Sequence, residues 1–126
     1  MKDLEALEKL REKADELLNS TDFYYNLDEN KNPVSCTLRE WGEIYMGSGN
    51  DERRIAEDYI NDFHISTVFL GIDHNFYEGP PILFETMIFE NDSYSEIYCD
   101  RYCTWQEAEE GHKKAVEWAK NERKEE

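Results

Sequence analysis

The chain has 126 residues, 39% hydrophobic, 35% charged and 13% aromatic, with 14 Lys and Arg against 30 Asp and Glu for a formal charge of −16. That length supports one domain with a modest core, and the aromatic content argues against disorder, because acidic disordered chains are poor in aromatics. So negative a charge repels nucleic acid and anionic lipid and favours basic partners or none, while no apolar run approaches the roughly 18 to 20 residues of a membrane span.

Residues 1–18 are rich in Glu, Lys, Leu and Ala, and Leu7, Leu10, Ala14 and Leu17 recur at helical spacing as one apolar stripe. The stripe is under three heptads, too short to argue for a coiled coil alone. It predicts packing against the chain's own domain, with a homodimer through residues 1–18 as the alternative. Asn19 to Asp22 end the helix.

Phe23–Asp28 and Val34–Cys36 read as short partner strands across the turn formers Glu29, Asn30, Lys31, Asn32 and Pro33. Thr37 with Glu40 matches a capping box and opens a helix through Leu38, Trp41, Ile44 and Tyr45, which Gly47, Ser48 and Gly49 stop. Arg53–Ile60 fits either a helix face or a strand by spacing. The alternation that follows, Phe63, Ile65, Thr67 and Phe69 against His64, Ser66, Val68 and Leu70, with Asn61 and Asp62 as a two-residue turn, selects a hairpin.

Gly71–Pro81 reads as a long loop, of the kind that is functional or held by its own side chains. Ile82–Phe89 is a strand with Ile82, Phe84, Thr86 and Ile88 on one face, which places Glu85 among the apolar neighbours Leu83, Met87 and Phe89 on the other. Asn91, Asp92 and Ser93 turn the chain into a fourth strand, Ser95–Tyr102. Thr104 with Glu107 is a second capping box, and Trp105, Ala108, His112, Ala115, Val116 and Ala119 trace the inner face of a helix to about Lys120. The expected class is α+β: an antiparallel meander of about four strands covered on one face by helices, with helices at both termini. Residues 1–20 form the first helix, 21–120 a single domain and 121–126 a solvated tail.

Three cysteines, Cys36, Cys99 and Cys103, are an odd number and fit burial in a reducing compartment rather than a disulfide framework. With no apolar secretion signal at the N-terminus, a cytoplasmic location is expected. Asp73, His74, Glu85 and His112 would hold a divalent metal or supply a general acid and base if they converged. The structural alternative has Asp73 and His74 capping a strand end and holding the loop, with Glu85 and His112 hydrogen-bonded at the edge of the core. No spacing among His and Cys is that of a zinc site, and Gly47-Ser48-Gly49 lacks the Lys of a phosphate loop, so no metal or other cofactor is expected.

The block from Ser66 to Phe76, Ser-Thr-Val-Phe-Leu-Gly-Ile-Asp-His-Asn-Phe, and the block Gly79-Pro80-Pro81-Ile82-Leu83-Phe84-Glu85-Thr86-Met87-Ile88-Phe89 resemble a family of small uncharacterised phage and prophage proteins. Arg101-Tyr102, Thr104-Trp105, Glu107-Ala108 and Gly111-His112 look like that family's closing motif, while Cys36-Thr37-Leu38, Trp41 and Arg53-Arg54-Ile55-Ala56 resemble its upstream portion. The resemblance spans roughly residues 24–118 and implies a phage origin, hence the cytoplasm of the host cell, and no catalytic residues.

Residues 63–103 hold seven acids against Arg101 alone. Exposed carboxylates on a rigid surface approximate the charge of nucleic-acid phosphates and attract basic grooves. Together with a phage origin this predicts a non-catalytic inhibitor of a basic, nucleic-acid-handling host defence protein, of anti-CRISPR or anti-restriction type. Asp73, Glu78, Glu90, Asp92, Glu96 and Asp100 would supply charge, and Phe76 and Tyr77 aromatic anchors. A small enzyme or ligand-binding protein with a pocket under the 71–81 loop is the alternative from another class, and an assembly factor oligomerising through the first helix is a third.

Overall fold

A computed structural model describes residues 2–46, 53–90 and 95–122. The elements run in the order α1 (Lys2–Leu18), β1 (Tyr24–Leu27), β2 (Pro33–Cys36), α2 (Leu38–Tyr45), β3 (Arg54–Ile60), β4 (Phe63–Phe69), β5 (Phe84–Glu90), β6 (Glu96–Tyr102) and α3 (Trp105–Asn121). The fold is α+β. β3 to β6 form an antiparallel sheet in sequence order, a meander, and β1–β2 is a separate hairpin. The stop at Gly47 to Gly49, the turn Asn91 to Ser93 and most of the tail lie outside the described residues.

Local chemistry accounts for the boundaries. Both capping boxes form: Thr37 Oγ1 accepts from Glu40 N at 3.1 Å and Thr104 Oγ1 from Glu107 N at 3.1 Å, with each Glu accepting from its cap's backbone N–H in return. Asp28 Oδ1 accepts from Asn30 N and Asn32 N, closing the β1–β2 turn where Lys31 takes φ 67°. At the β3–β4 turn Asn61 takes φ 53°, and its amide donates to Ala119 O at 2.8 Å, tying the hairpin to the C-terminal end of α3.

Along β4 burial alternates strictly, with Phe63, Ile65, Thr67 and Phe69 inside. These, with Phe84, Thr86 and Ile88 of β5, face α3, which packs on all four strands and turns Ala108, His112, Ala115 and Ala119 to them. Small residues let the helix approach closely. Gly111 serves the same purpose, because a Cβ there would collide with the Tyr102 phenol.

The core divides in two along α3. At its N-terminal end Phe69, Leu83, Phe84 and Ala108 pack with Tyr45 of α2 and partly buried Tyr25, Trp41 and Trp105, so α2 and the β1–β2 hairpin close that end of the sheet. At the other end Phe63, Ile65, Ile88, Ala115 and Ala119 form a second cluster. Between them runs a polar seam. Thr67 Oγ1 lies 2.6 Å from Thr86 Oγ1 and 2.7 Å from His112 Nδ1, while His112 Nε2 lies 2.7 Å from Asp58 Oδ2. A neutral imidazole satisfies both neighbours by donating from Nε2 to Asp58 and accepting at Nδ1 from the Thr67 hydroxyl.

One expectation is corrected. The leucine stripe of the first helix does not pack on its own domain: Leu4, Leu7, Leu10 and Leu17 are 57%, 51%, 64% and 64% exposed. The helix is attached to α2, through Leu38 N donating to Ser20 O at 3.2 Å and Arg39 facing Asp15 at 3.9 Å, and no described element covers the leucine stripe. Gly71–Pro81 is the loop the sequence predicts, held by its own side chains, and it is also tied to the hairpin. Tyr25 N donates to Gly71 O at 2.8 Å and Asp73 N to Phe23 O at 2.9 Å, so its first leg pairs with β1. Gly71 takes φ 74° there, and its missing Cβ makes room for the Trp41 indole.

Candidate functional site

The remaining loop is built from its own side chains. Asp73 Oδ1 accepts from Asn75 N at 2.7 Å and from Ile82 N at 3.0 Å, spanning the base of the loop. Asn75 donates from its amide to Pro80 O at 2.9 Å and accepts from Tyr77 N at 2.9 Å. His74 Nδ1 lies 2.7 Å from Ile72 O. On this braced loop Phe76 and Tyr77 stand 86% and 87% exposed. Two adjacent aromatic rings in water, on a backbone fixed by side-chain caps, are the most outward apolar groups among the described residues.

Of the residues expected to meet a partner, Phe76, Tyr77, Glu78, Glu90, Glu96 and Asp100 are exposed, Asp73 is half-buried and occupied with holding the loop, and Asp92 lies outside the described residues. The acids follow the β5–β6 side of the sheet. β6 is an edge strand, exposed from Glu96 to Arg101, and its last residues adjoin the loop, with Leu83 N donating to Tyr102 O at 3.0 Å. Glu96 and Asp100 are four residues apart, roughly 13 Å along a strand. DNA carries a phosphate about every 3.4 Å per strand. The carboxylates are therefore sparser than phosphates and act as a diffuse field rather than as a copy of a backbone.

Asp73, His74, Glu85 and His112 do not converge. Glu85 and Thr86 are consecutive on β5 and point to opposite faces; His112 belongs to the Thr86 face, Glu85 to the other, and Asp73 and His74 are bonded within the loop. Among the described residues no group of three or more His, Cys, Asp and Glu is placed to hold a metal. The Asp58–His112–Thr67 chain has the order of a nucleophile triad, but it is inverted in access: Thr67 is wholly buried while the Asp58 side chain is 47% exposed. No substrate reaches the hydroxyl. All three thiols are held above their ordinary range, Cys36 by burial and then Glu40, Cys103 by burial and then Glu107, and Cys99 pushed up to about 11 by burial and then Glu85. They stay protonated at neutral pH, the opposite of an activated nucleophile.

The structure also holds a pocket on the sheet. The face of the sheet away from α3 holds a cavity of about 290 Å³ lined by Arg54, His64, Ser66, Glu85, Met87 and Phe89 among others. Its charges are matched internally: Glu57 Oε2 lies 3.2 Å from Arg54 Nη1 and 2.9 Å from His64 Nε2, and Glu85 Oε2 accepts from Arg101 Nε at 2.8 Å. Spacing alone places Arg54, Val68, Glu85 and Arg101 nowhere near each other, yet the register aligns them in one row across four strands.

The sequence reading missed the Thr67–Thr86–His112–Asp58 seam. Its one available signal was Thr67 and Thr86 at apolar positions of alternating strands. Comparisons with family models, with curated proteins and with solved structures each gave no match to this chain.

Proposed function

We propose that the protein acts by binding, as a phage-encoded inhibitor that occupies a basic, nucleic-acid-handling defence protein of its host, of anti-CRISPR or anti-restriction type. The observation that carries this reading is the Phe76–Tyr77 tip, nearly fully exposed on a loop that Asp73 and Asn75 hold in place. Aromatic anchors on a preorganised backbone supply short-range binding energy at low entropic cost. The exposed carboxylates Glu78, Glu90, Glu96 and Asp100, in a chain of charge −16, supply long-range attraction to a cationic groove. The phage origin rests on the resemblance of residues 24–118.

The two contributions separate kinetically. With the defence protein immobilised, neutralising Glu78, Glu90, Glu96 and Asp100 to Gln and Asn is expected to slow association and flatten its salt dependence, whereas Phe76→Ala with Tyr77→Ala accelerates dissociation at least tenfold. Duplex DNA should compete with the chain. A complex indifferent to several hundred millimolar salt, or one that keeps its lifetime without both aromatics, overturns the proposal.

A further inference from the structure

Among the described residues two surfaces have nothing packed on them, and they fit each other. One is the leucine stripe of α1; the other is the sheet face opposite α3, where Val68, Leu70, Met87 and Phe89 form an apolar floor. α3 shows what covers a face of this sheet: a helix of 17 residues, about 25 Å long, laid over strands of seven residues that span about 23 Å. α1 also has 17 residues.

The charges agree in position. At about 100° per residue, Arg11 and Lys13 flank the α1 stripe on opposite sides, and Asp3 falls within it some eight residues, or about 12 Å, towards the N-terminus. On the sheet face, Glu57 of β3 and Glu96 of β6 sit on the two edge strands, one at each rim. The row carrying Arg54 and Arg101 lies roughly 13 Å along the strands from the row of His64, Phe89 and Glu96. Glu57, opposite Ser66, lies two residues nearer the arginine row and already meets Arg54 and His64. A helix centred on β4 and β5 thus sets one of Arg11 and Lys13 against Glu96 and brings the other to the Arg54–Glu57–His64 cluster, while Asp3 reaches the arginine row.

We infer that the chain forms a homodimer in which α1 of each copy lies on the open sheet face of the other. The occupant is a second copy because the chain's own α1 is anchored to α2 by the Ser20–Leu38 hydrogen bond and the Asp15–Arg39 pair. The inference does not rest on the function proposed above; it shares Glu96 with that reading and leaves Phe76 and Tyr77 uncovered, one pair per copy.

The test mixes two preparations of the full chain, both with Cys99→Ser and Cys103→Ser. One carries a nitroxide through Lys9→Cys, on the polar side of α1; the other is nitrogen-15 labelled and has no nitroxide. Broadening of the Ser66, Val68, Met87 and Phe89 amides in the labelled copies is the expected result. Broadening confined to α1, which means helix pairing with helix, or no broadening, which means a monomer or a helix folded on its own sheet, overturns the inference. Sedimentation gives a second reading that spares the core: Arg11→Glu with Lys13→Glu should raise the dimer dissociation constant roughly tenfold, and Glu57→Lys with Glu96→Lys in the same chain should restore it. Failure of the restoring pair in a chain that still melts cooperatively counts against the proposed register and overturns it.

Discussion

The two faces of the β3–β6 sheet are made by the same strands and finished by opposite means. On one, Phe63, Ile65, Phe69, Phe84 and Ile88 meet α3, whose Ala108, Ala115 and Ala119 allow close approach, and the residues between them are almost wholly out of water. On the other, no described helix packs; Arg54 with Glu57 and Arg101 with Glu85 fold over the strands in ion pairs, His64 Nε2 meets Glu57 at 2.9 Å, and Tyr59 stacks on His64 with centroids 4.4 Å apart. A sheet face can therefore be closed by a layer or half-closed by its own long side chains. The second solution stabilises less, because partly buried pairs offset much of their attraction by the cost of desolvation, and it leaves the surface available.

Truncation on each face should separate them most widely. Phe84→Ala, which empties a wholly buried site, is expected to cost about 3 to 5 kcal/mol, and Phe89→Ala about 1 kcal/mol in the monomer. Urea denaturation compares the two, and equal losses would break the distinction. A smaller effect with a diagnostic sign comes from Gly111→Ala. Helix propensity alone predicts a gain of about 1 kcal/mol, but the Tyr102 phenol occupies the space of the new methyl, so a net loss of about 1 to 3 kcal/mol is expected on melting. A gain would show that α3 has room to withdraw from the sheet.

The smallest effect on stability is the sharpest chemically. Cys99 is exposed on the open face beside Glu85, 3.5 Å from Oε2, and its thiol is pushed up to about 11. A raised thiol pKa keeps the proton on, so at pH 8 the thiolate is about a hundred times scarcer than for an ordinary cysteine, and alkylation should keep climbing to about pH 11 rather than levelling near 9. Glu85→Gln removes the carboxylate, the second cause after burial, and should move that profile to lower pH. An unchanged profile would mean that burial alone sets the thiol.

Much of this architecture was legible in the chain. The Thr37–Glu40 and Thr104–Glu107 boxes marked two helix starts to the residue, and the alternation from Phe63 to Phe69 with Asn61–Asp62 before it selected the hairpin over a helix at Arg53–Ile60. The structural roles expected of Asp73, His74, Glu85 and His112 are the ones observed, but their partners were not readable: Glu85 meets Arg101 and His112 meets Thr67 and Asp58 across 16, 45 and 54 positions. Periodicity is local, and these pairs depend on register between strands and on which helix lies on which face.

Composition and pattern by themselves settled a single acidic α+β chain with helices at both ends, because residue periods of about two and 3.6 dictate which side chains share a face. They left both terminal helices with an apolar stripe and no means of ranking them. Tertiary packing made that choice: the stripe with alanines and Gly111 sits close enough to bury the sheet, the first helix is tied to α2 while its stripe of leucines stays in water, and no described helix covers the other face of the sheet.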